Sequence, residues 1–188
     1  LSTTRRPRAD ARRNYERLLS EADAAFAERG VGASLESIAR GAGVAIGTLY
    51  GHFPTRRALV GALLRERNEA LFELGDRLVA QNTPDALATW ARAVTDHAAT
   101  YSGLASLLAG GLDDEASELH DSCLRMADIG DRLVASARAS GTVRPDATGA
   151  DLTALTTAAA AVREDLSPAA ADRLISLTLS GLACTRRT

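Results

Sequence analysis

Residues 34–57 read SLESIARGAGVAIGTLYGHFPTRR, two short helices joined by a tight turn and followed by the start of a third helix. Ser34 is a good N-cap, and Leu35, Ile38, Ala39 and Ala42 recur at helical spacing on one face. Gly41 and Gly43 punctuate that helix, and Gly43 suits the left-handed backbone that a turn between crossing helices demands. Val44 opens a second apolar stripe continued by Leu49 and Phe53, and Thr55 caps the next helix. Ala39, Gly43 and Leu49 have helix-turn-helix spacing: a small residue at the crossing, a turn glycine, and an apolar anchor under the second helix.

Two short helices cannot bury enough apolar surface alone. The brace is expected upstream, in a helix over 10–28 whose face carries Tyr15, Leu18, Leu19, Ala22, Ala25 and Phe26. Before it, residues 1–8 lack periodicity and carry Arg5, Arg6 and Arg8 around Pro7, which reads as a mobile basic arm or a solvated tail. Downstream, the helix from Thr55 runs to Gln81 with a stripe of Val60, Leu63, Leu64, Leu71, Leu74 and Leu78. At 1.5 Å per residue it spans about 40 Å, so it is expected to carry the chain into a second, larger body. Its Gly61 and Gly75 are weak points or places of close packing. Five further helices follow, over 84–101, 104–112, 113–139, 148–163 and 168–184. The last begins at Ser167–Pro168, a cap followed by proline at the first helical position.

Composition supports an all-α chain: 46% hydrophobic residues and five prolines leave long uninterrupted helical runs. Charge is uneven. Residues 1–67 hold 12 Arg against 7 Asp/Glu, and residues 68–188 hold 10 Arg against 17. A basic end on an acidic body suits contact with a polyanion at one end. Cys123 and Cys184 lack metal-ligand spacing, no signal peptide or membrane span is legible, and a cytoplasmic location is expected. His52, His97 and His120 are scattered and form no catalytic set. Asp113, Asp114 and Glu115 read as a helix-start cluster, with a metal site as the alternative.

At the opening residues the chain resembles the TetR family of one-component bacterial transcriptional repressors. SLESIA matches the family's T-x-x-x-I-A segment, GAGVAIGTLYGHF its A-G-V-s-x-g-T-L-Y-x-H-F, and PTRRAL the p-s-K-e-x-L of the next helix. The resemblance is specific over residues 9–64; beyond them it rests on layout and helical pattern. It implies a flexible arm over 1–8, a helix-turn-helix DNA-binding domain over 9–54, and a ligand-binding and dimerisation domain over 55–188. The function implied is a homodimeric, sequence-specific regulator, not an enzyme, with no cofactor, released from double-stranded operator DNA by a small-molecule inducer. The alternative is a helical binding module whose basic end contacts RNA or an acidic protein.

The resemblance also assigns residues. Thr48, Tyr50 and His52 take the family's phosphate contacts, and Arg56 stands where a phosphate-binding lysine is usual. A part-buried core position for Tyr50 and an ordinary surface position for His52 remain open. The outer face of the second helix offers Ala45, Ile46, Gly47 and Gly51, without the Arg, Asn or Gln that read guanine and adenine. Base readout then falls to methyl contacts to thymine, to Thr48, to Arg40 or Glu36 on the preceding helix, or to Arg5, Arg6 and Arg8 of the arm; Ser34, the cap of that helix, is a further DNA-binding candidate. A pocket in the body is expected, with Trp90, His97, Tyr101, His120, Cys123, Met126 and Thr157 as candidate lining, each also readable as core or surface. The last two helices, with Ala159, Leu174 and Leu179, are expected at the dimer interface; a hairpin buried within one monomer is the alternative.

Overall fold

Helix α1 spans Arg5–Arg29 in the computed structural model, which describes residues 5–109 and 118–183. The backbone is thus already helical at Arg5, Arg6 and Arg8, within the stretch read as an arm over 1–8. Pro7 does not prevent this, because an N–H in the first turn has no intrahelical acceptor and the fixed φ of proline suits a helix. Residues 1–4, the Asp113–Asp114–Glu115 cluster and Cys184 lie outside the described residues.

Among the described residues the other helices are α2 (Leu35–Gly41), α3 (Ile46–His52), α4 (Arg56–Gln81), α5 (Ala86–Ala98), α6 (Leu104–Ala109), α7 (Glu118–Ala139), α8 (Gly149–Asp165) and α9 (Pro168–Leu182). Their starts follow local chemistry. Ser34 Oγ accepts the Ser37 N–H at 3.3 Å, Thr55 Oγ1 the Ala58 N–H at 3.1 Å, and Ser167 Oγ the Ala170 N–H at 3.2 Å. Thr148 and Asp151 form a reciprocal capping box at the head of α8. Between α2 and α3 the backbone turns at Gly43, whose φ of +66° is a conformation that side chains resist.

Two apolar cores result. The upper one joins Leu18, Ala22 and Phe26 of α1 to Ile38 and Ala39 of α2, Leu49 and Phe53 around α3, and Leu59, Val60 and Leu64 of α4. Full burial of Phe26, Ile38, Leu49 and Leu59 contributes about 1.5–3 kcal/mol each, which is why α1 is required as a brace. Tyr101, Leu104 and Leu119 belong to the same cluster, so the upper core reaches into the body. The lower core gathers Leu71, Phe72, Leu78, Trp90, Ile129, Leu133, Leu152, Leu155 and Ile175.

Gly75 shows how tightly the lower core closes. A Cβ there would lie 2.6 Å from Ile129 Cγ2 and 2.8 Å from the Trp90 ring, so this glycine serves close packing of α4 against α5 and α7. The ion pairs Glu69–Arg125 and Asp76–Arg132, seven residues apart on both helices, show that α7 runs parallel to α4, whereas the short turn at Asn82 sends α5 back antiparallel.

Candidate DNA-binding surface and ligand site

Leu49 and Phe53 anchor α3 from beneath, which turns its other positions outward. Ala45, Gly47, Tyr50 and Gly51 are exposed, and Ile46, Thr48 and His52 are half-buried. Tyr50 is 45% exposed, so its ring is a surface group and not a core one. The His52 ring lies edge-on to Tyr15 at 5.9 Å, and Tyr15 in turn packs on Phe53 at 5.1 Å. These rings fix the end of α3 against α1. A Cβ at Gly47 or Gly51 would meet nothing within 4 Å, so the centre of this face is open backbone surface.

On α2, Ser34, Glu36 and Arg40 are exposed. Ser34 Oγ donates to Glu36 Oε2 at 2.8 Å, and Arg40 Nη2 donates to Ser37 Oγ at 3.3 Å. Backbone hydrogen bonding first, then the Ser34 hydroxyl, holds the Glu36 carboxyl below its ordinary range, so it stays anionic. Arg56 is part-buried: its Nη1 donates to the Val31 and Ala33 carbonyls, both at 2.5 Å. It ties the α1–α2 loop to the head of α4, an inward task the sequence did not suggest. Arg17, absent from the sequence expectations, is exposed on α1 with its Nη2 beside the Gly43 turn. Only the three-dimensional crossing of α1 over that turn brings it there. The side chains of Arg5, Arg6 and Arg8 lie outside the described residues.

The DNA-binding module and the body are joined by more than α4. The Tyr101 hydroxyl donates to Asp23 Oδ1 at 2.5 Å, the Val31 N–H to the Ser102 carbonyl at 2.8 Å, and Arg57 Nη1 to the Leu107 carbonyl at 3.0 Å. The other side of the same α5–α6 corner is held by Glu164 of α8, whose Oε1 accepts from Ser102 Oγ at 2.6 Å and from Gly103 N at 2.7 Å. These contacts join the two parts in addition to the long helix α4. Burial and the Asp23 hydrogen bond push the Tyr101 phenol up to about 12, so it remains a donor.

The candidate pocket residues divide. Trp90 is lower-core packing and Tyr101 upper-core packing. His97 is buried, with Nε2 unpartnered among the described residues. Burial, then the charge of Arg67, lowers its ring to about 4, so it is neutral at pH 7. His120, Cys123 and Met126 are half-buried on α7. Thr157 is a correction: it is exposed and its hydroxyl donates to the Thr153 carbonyl, whereas Thr156 is the buried neighbour. Asn68, Thr95 and Ser122 are buried polar residues that sequence reasoning missed.

Ala159 is also corrected as an interface residue. It is 0% exposed within one chain and belongs to the lower core. Leu174 and Leu179 are half-buried against that core. Among the residues that α8 and α9 expose are Thr157, Ala158, Ala161, Ser176 and Leu177, the last 62% exposed.

This geometry defines a helix-turn-helix DNA-binding protein with a separate helical body. The family model described as bacterial regulatory proteins of the tetR family matches residues 18–63, and the SbtR-like transcriptional regulator C-terminal domain matches residues 82–184. A crystal structure of the TetR transcriptional regulator SCO0520 from Streptomyces coelicolor is 34% identical, covering 91% of this chain and 99% of its own, with a TM-score of 0.60. The TetR regulatory protein from Mycobacterium vanbaalenii is also 34% identical, over 94% of this chain and 99% of its own, at 0.54. The ketosteroid transcriptional regulator KstR2 of Mycobacterium tuberculosis shares the fold at 21% identity and a TM-score of 0.64, over 91% of this chain and 95% of its own. The comparison with curated proteins returned no match. The chain belongs to the TetR family and is a DNA-binding transcriptional regulator. Among the described residues no helix is long and apolar enough to cross a membrane.

Proposed function

We propose that the chain is a homodimeric repressor that leaves its operator when a small molecule occupies the body. The observation that carries the reading is the α5–α6 corner. His97 faces the interior of the body, and Tyr101, about one turn further along the chain, is hydrogen-bonded to α1 of the reading module. A guest that displaces His97 moves Tyr101, and with it Asp23, Ser102 and Val31. Together with α4 this makes two attachments that respond to one occupant. A ligand releases DNA only if it favours a spacing of the two recognition helices that no longer matches successive major grooves.

On the DNA side, Thr48, Tyr50 and His52 clamp phosphates and Gly47 and Gly51 admit close approach of the duplex. Ser34, Glu36 and Arg40 border the groove, and Arg56 positions the loop that carries them. Direct base readout is sparse, so DNA shape contributes to the choice of site. Dimerisation through the outward face of α8 and α9, centred on Leu177, places two modules on a palindrome.

A salt-dependent gel shift on the DNA upstream of the chain's own gene tests the reading. Retention at a defined site over random duplex is expected. Equal binding to any duplex, or preference for RNA, would replace it with the general polyanion-binding module.

A further inference from the structure

We propose that the body binds a small organic carboxylate, held by the side edge of Arg57 and by a buried polar layer of Asn68 and His97. The proposal rests on the ligand-responsive reading above and gives its ligand a chemical class.

The layer has a definite place. Gly75, Trp90 and Ile129 meet at one level of the body. Two helical turns toward the DNA-binding end, about 10.5 Å along each axis, lie Asn68 on α4, His97 on antiparallel α5 and Ser122 on parallel α7. Two turns is nearly a whole number of periods, so each again faces the interior. The hydrogen bond from Asn68 Nδ2 to Ser122 Oγ, 3.0 Å long, fixes that register. On α4 the layer separates Leu64 of the upper core from Leu71 of the lower, and on α7 it separates Leu119 from Ile129. Beside it Ala98, Ala105 and Ala160 form a cluster of small side chains.

Hydrogen-bonding capacity is left over there. Asn68, Thr95 and His97 are 2%, 1% and 8% exposed. Asn68 Oδ1, Thr95 Oγ1 and His97 Nε2 have no hydrogen-bond partner among the described residues. Native proteins rarely leave several such buried atoms bare unless something else satisfies them. Arg57 adds Nε and Nη2, likewise buried and unpartnered, while Leu107 O holds its Nη1. Nε and Nη2 are the parallel donors of the guanidinium side edge, the pair that grips a carboxylate bidentately.

Charge selects the sign of the guest. The Arg57 charge acts on the Cys123 thiol beside Ser122, and the Arg67 charge on the His97 ring and the Tyr101 phenol. The acid at Tyr101, Asp23, is engaged with its hydroxyl. The first turn of α4 holds no acid, so the positive end of that helix adds to the field. A cation is repelled, a neutral guest leaves the Arg57 edge unanswered, and a phosphate brings a second charge that one guanidinium does not neutralise. A carboxylate with a hydroxyl at its far end answers the Arg57 edge and the Asn68 oxygen: the anion takes Arg57 and the hydroxyl donates to Asn68 Oδ1.

The test is calorimetric titration and thermal shift of the full chain, without DNA, using para-hydroxyphenylpropionate, its primary amide, and phenylpropionate. The hydroxy acid is expected to bind saturably at millimolar concentration and raise the melting temperature. The amide should bind about ten- to a hundredfold more weakly, the worth of one charge-assisted pair. Arg57→Lys keeps the charge but loses the side edge, and should forfeit a similar factor while still binding operator. Asn68→Ala should erase the preference for the hydroxy acid over phenylpropionate. Equal binding of acid and amide, or no saturable binding of either, overturns the proposal. Operator binding is measured on the same preparations, so failure of the regulator reading registers there and leaves the titration interpretable.

Discussion

Alanine at Gly47 or Gly51 should strengthen the protein and weaken its function, and the opposition of signs is what makes the experiment informative. Neither glycine has a positive φ among the described residues, and a Cβ at either meets nothing within 4 Å. The substitution therefore strains nothing and recovers helix propensity, about 0.5–1 kcal/mol at each site. For a chain of this size that corresponds to a rise of roughly 1–4 °C in melting temperature, readable by circular dichroism. With DNA present the same methyl group occupies space that the duplex would enter. An operator affinity lower by about tenfold, roughly 1.4 kcal/mol, is expected by fluorescence anisotropy. Higher melting temperature with unchanged operator affinity in both variants would refute the placement of this face against DNA.

The His97 ring takes up a proton near 6.5 when unfolded but only near about 4 in the fold, so its contribution is intact above pH 6.5 and is lost as pH falls toward 4. Wild type should lose about 3 kcal/mol more stability than His97→Gln over that window, measured by urea unfolding. Ala159→Asp buries a charge in the lower core and should abolish the cooperative thermal transition, whereas Leu177→Asp should melt normally and run as a monomer in light scattering. Tyr50→Phe should weaken operator and random DNA by similar factors, because a phosphate contact carries no base identity; loss at one base pair alone would contradict the assignment. Tyr101→Phe keeps the ring against Phe26 at 5.9 Å but deletes the Asp23 bond, so unfolding should be easier by about 1–2 kcal/mol in denaturant titration.

The reading module was legible because its information is local. Ser34, Gly43, Leu49, Phe53 and Thr55 each do in the structure what their neighbours in sequence imply. The body was legible only as helices. In α8 the run Leu152–Val162 is apolar and small on nearly every side, so nothing in the pattern fixes its rotation. A phase error of one residue, about 100°, exchanges Thr157 for Thr156 and turns Ala159 from surface to core. The polar layer was hidden for another reason. Asn68 on α4, Thr95 and His97 on α5, and Ser122 on α7 are buried polar residues spread over three helices, and no one-dimensional pattern joins them. The corner contacts Tyr101–Asp23 and Ser102–Glu164 depend on helices distant in sequence, so only packing reveals a second link beside α4.

The central claim is that α3 reads a duplex as one half of a symmetric pair. Selection of binding sites from random double-stranded DNA, followed by footprinting of the enriched sequence, tests it most directly. The account expects a palindrome whose half-sites lie about 10 base pairs apart, or a multiple of that spacing, with protection on matching faces of both. Enrichment of a single unpaired half-site, or of no sequence over the random pool, would contradict it.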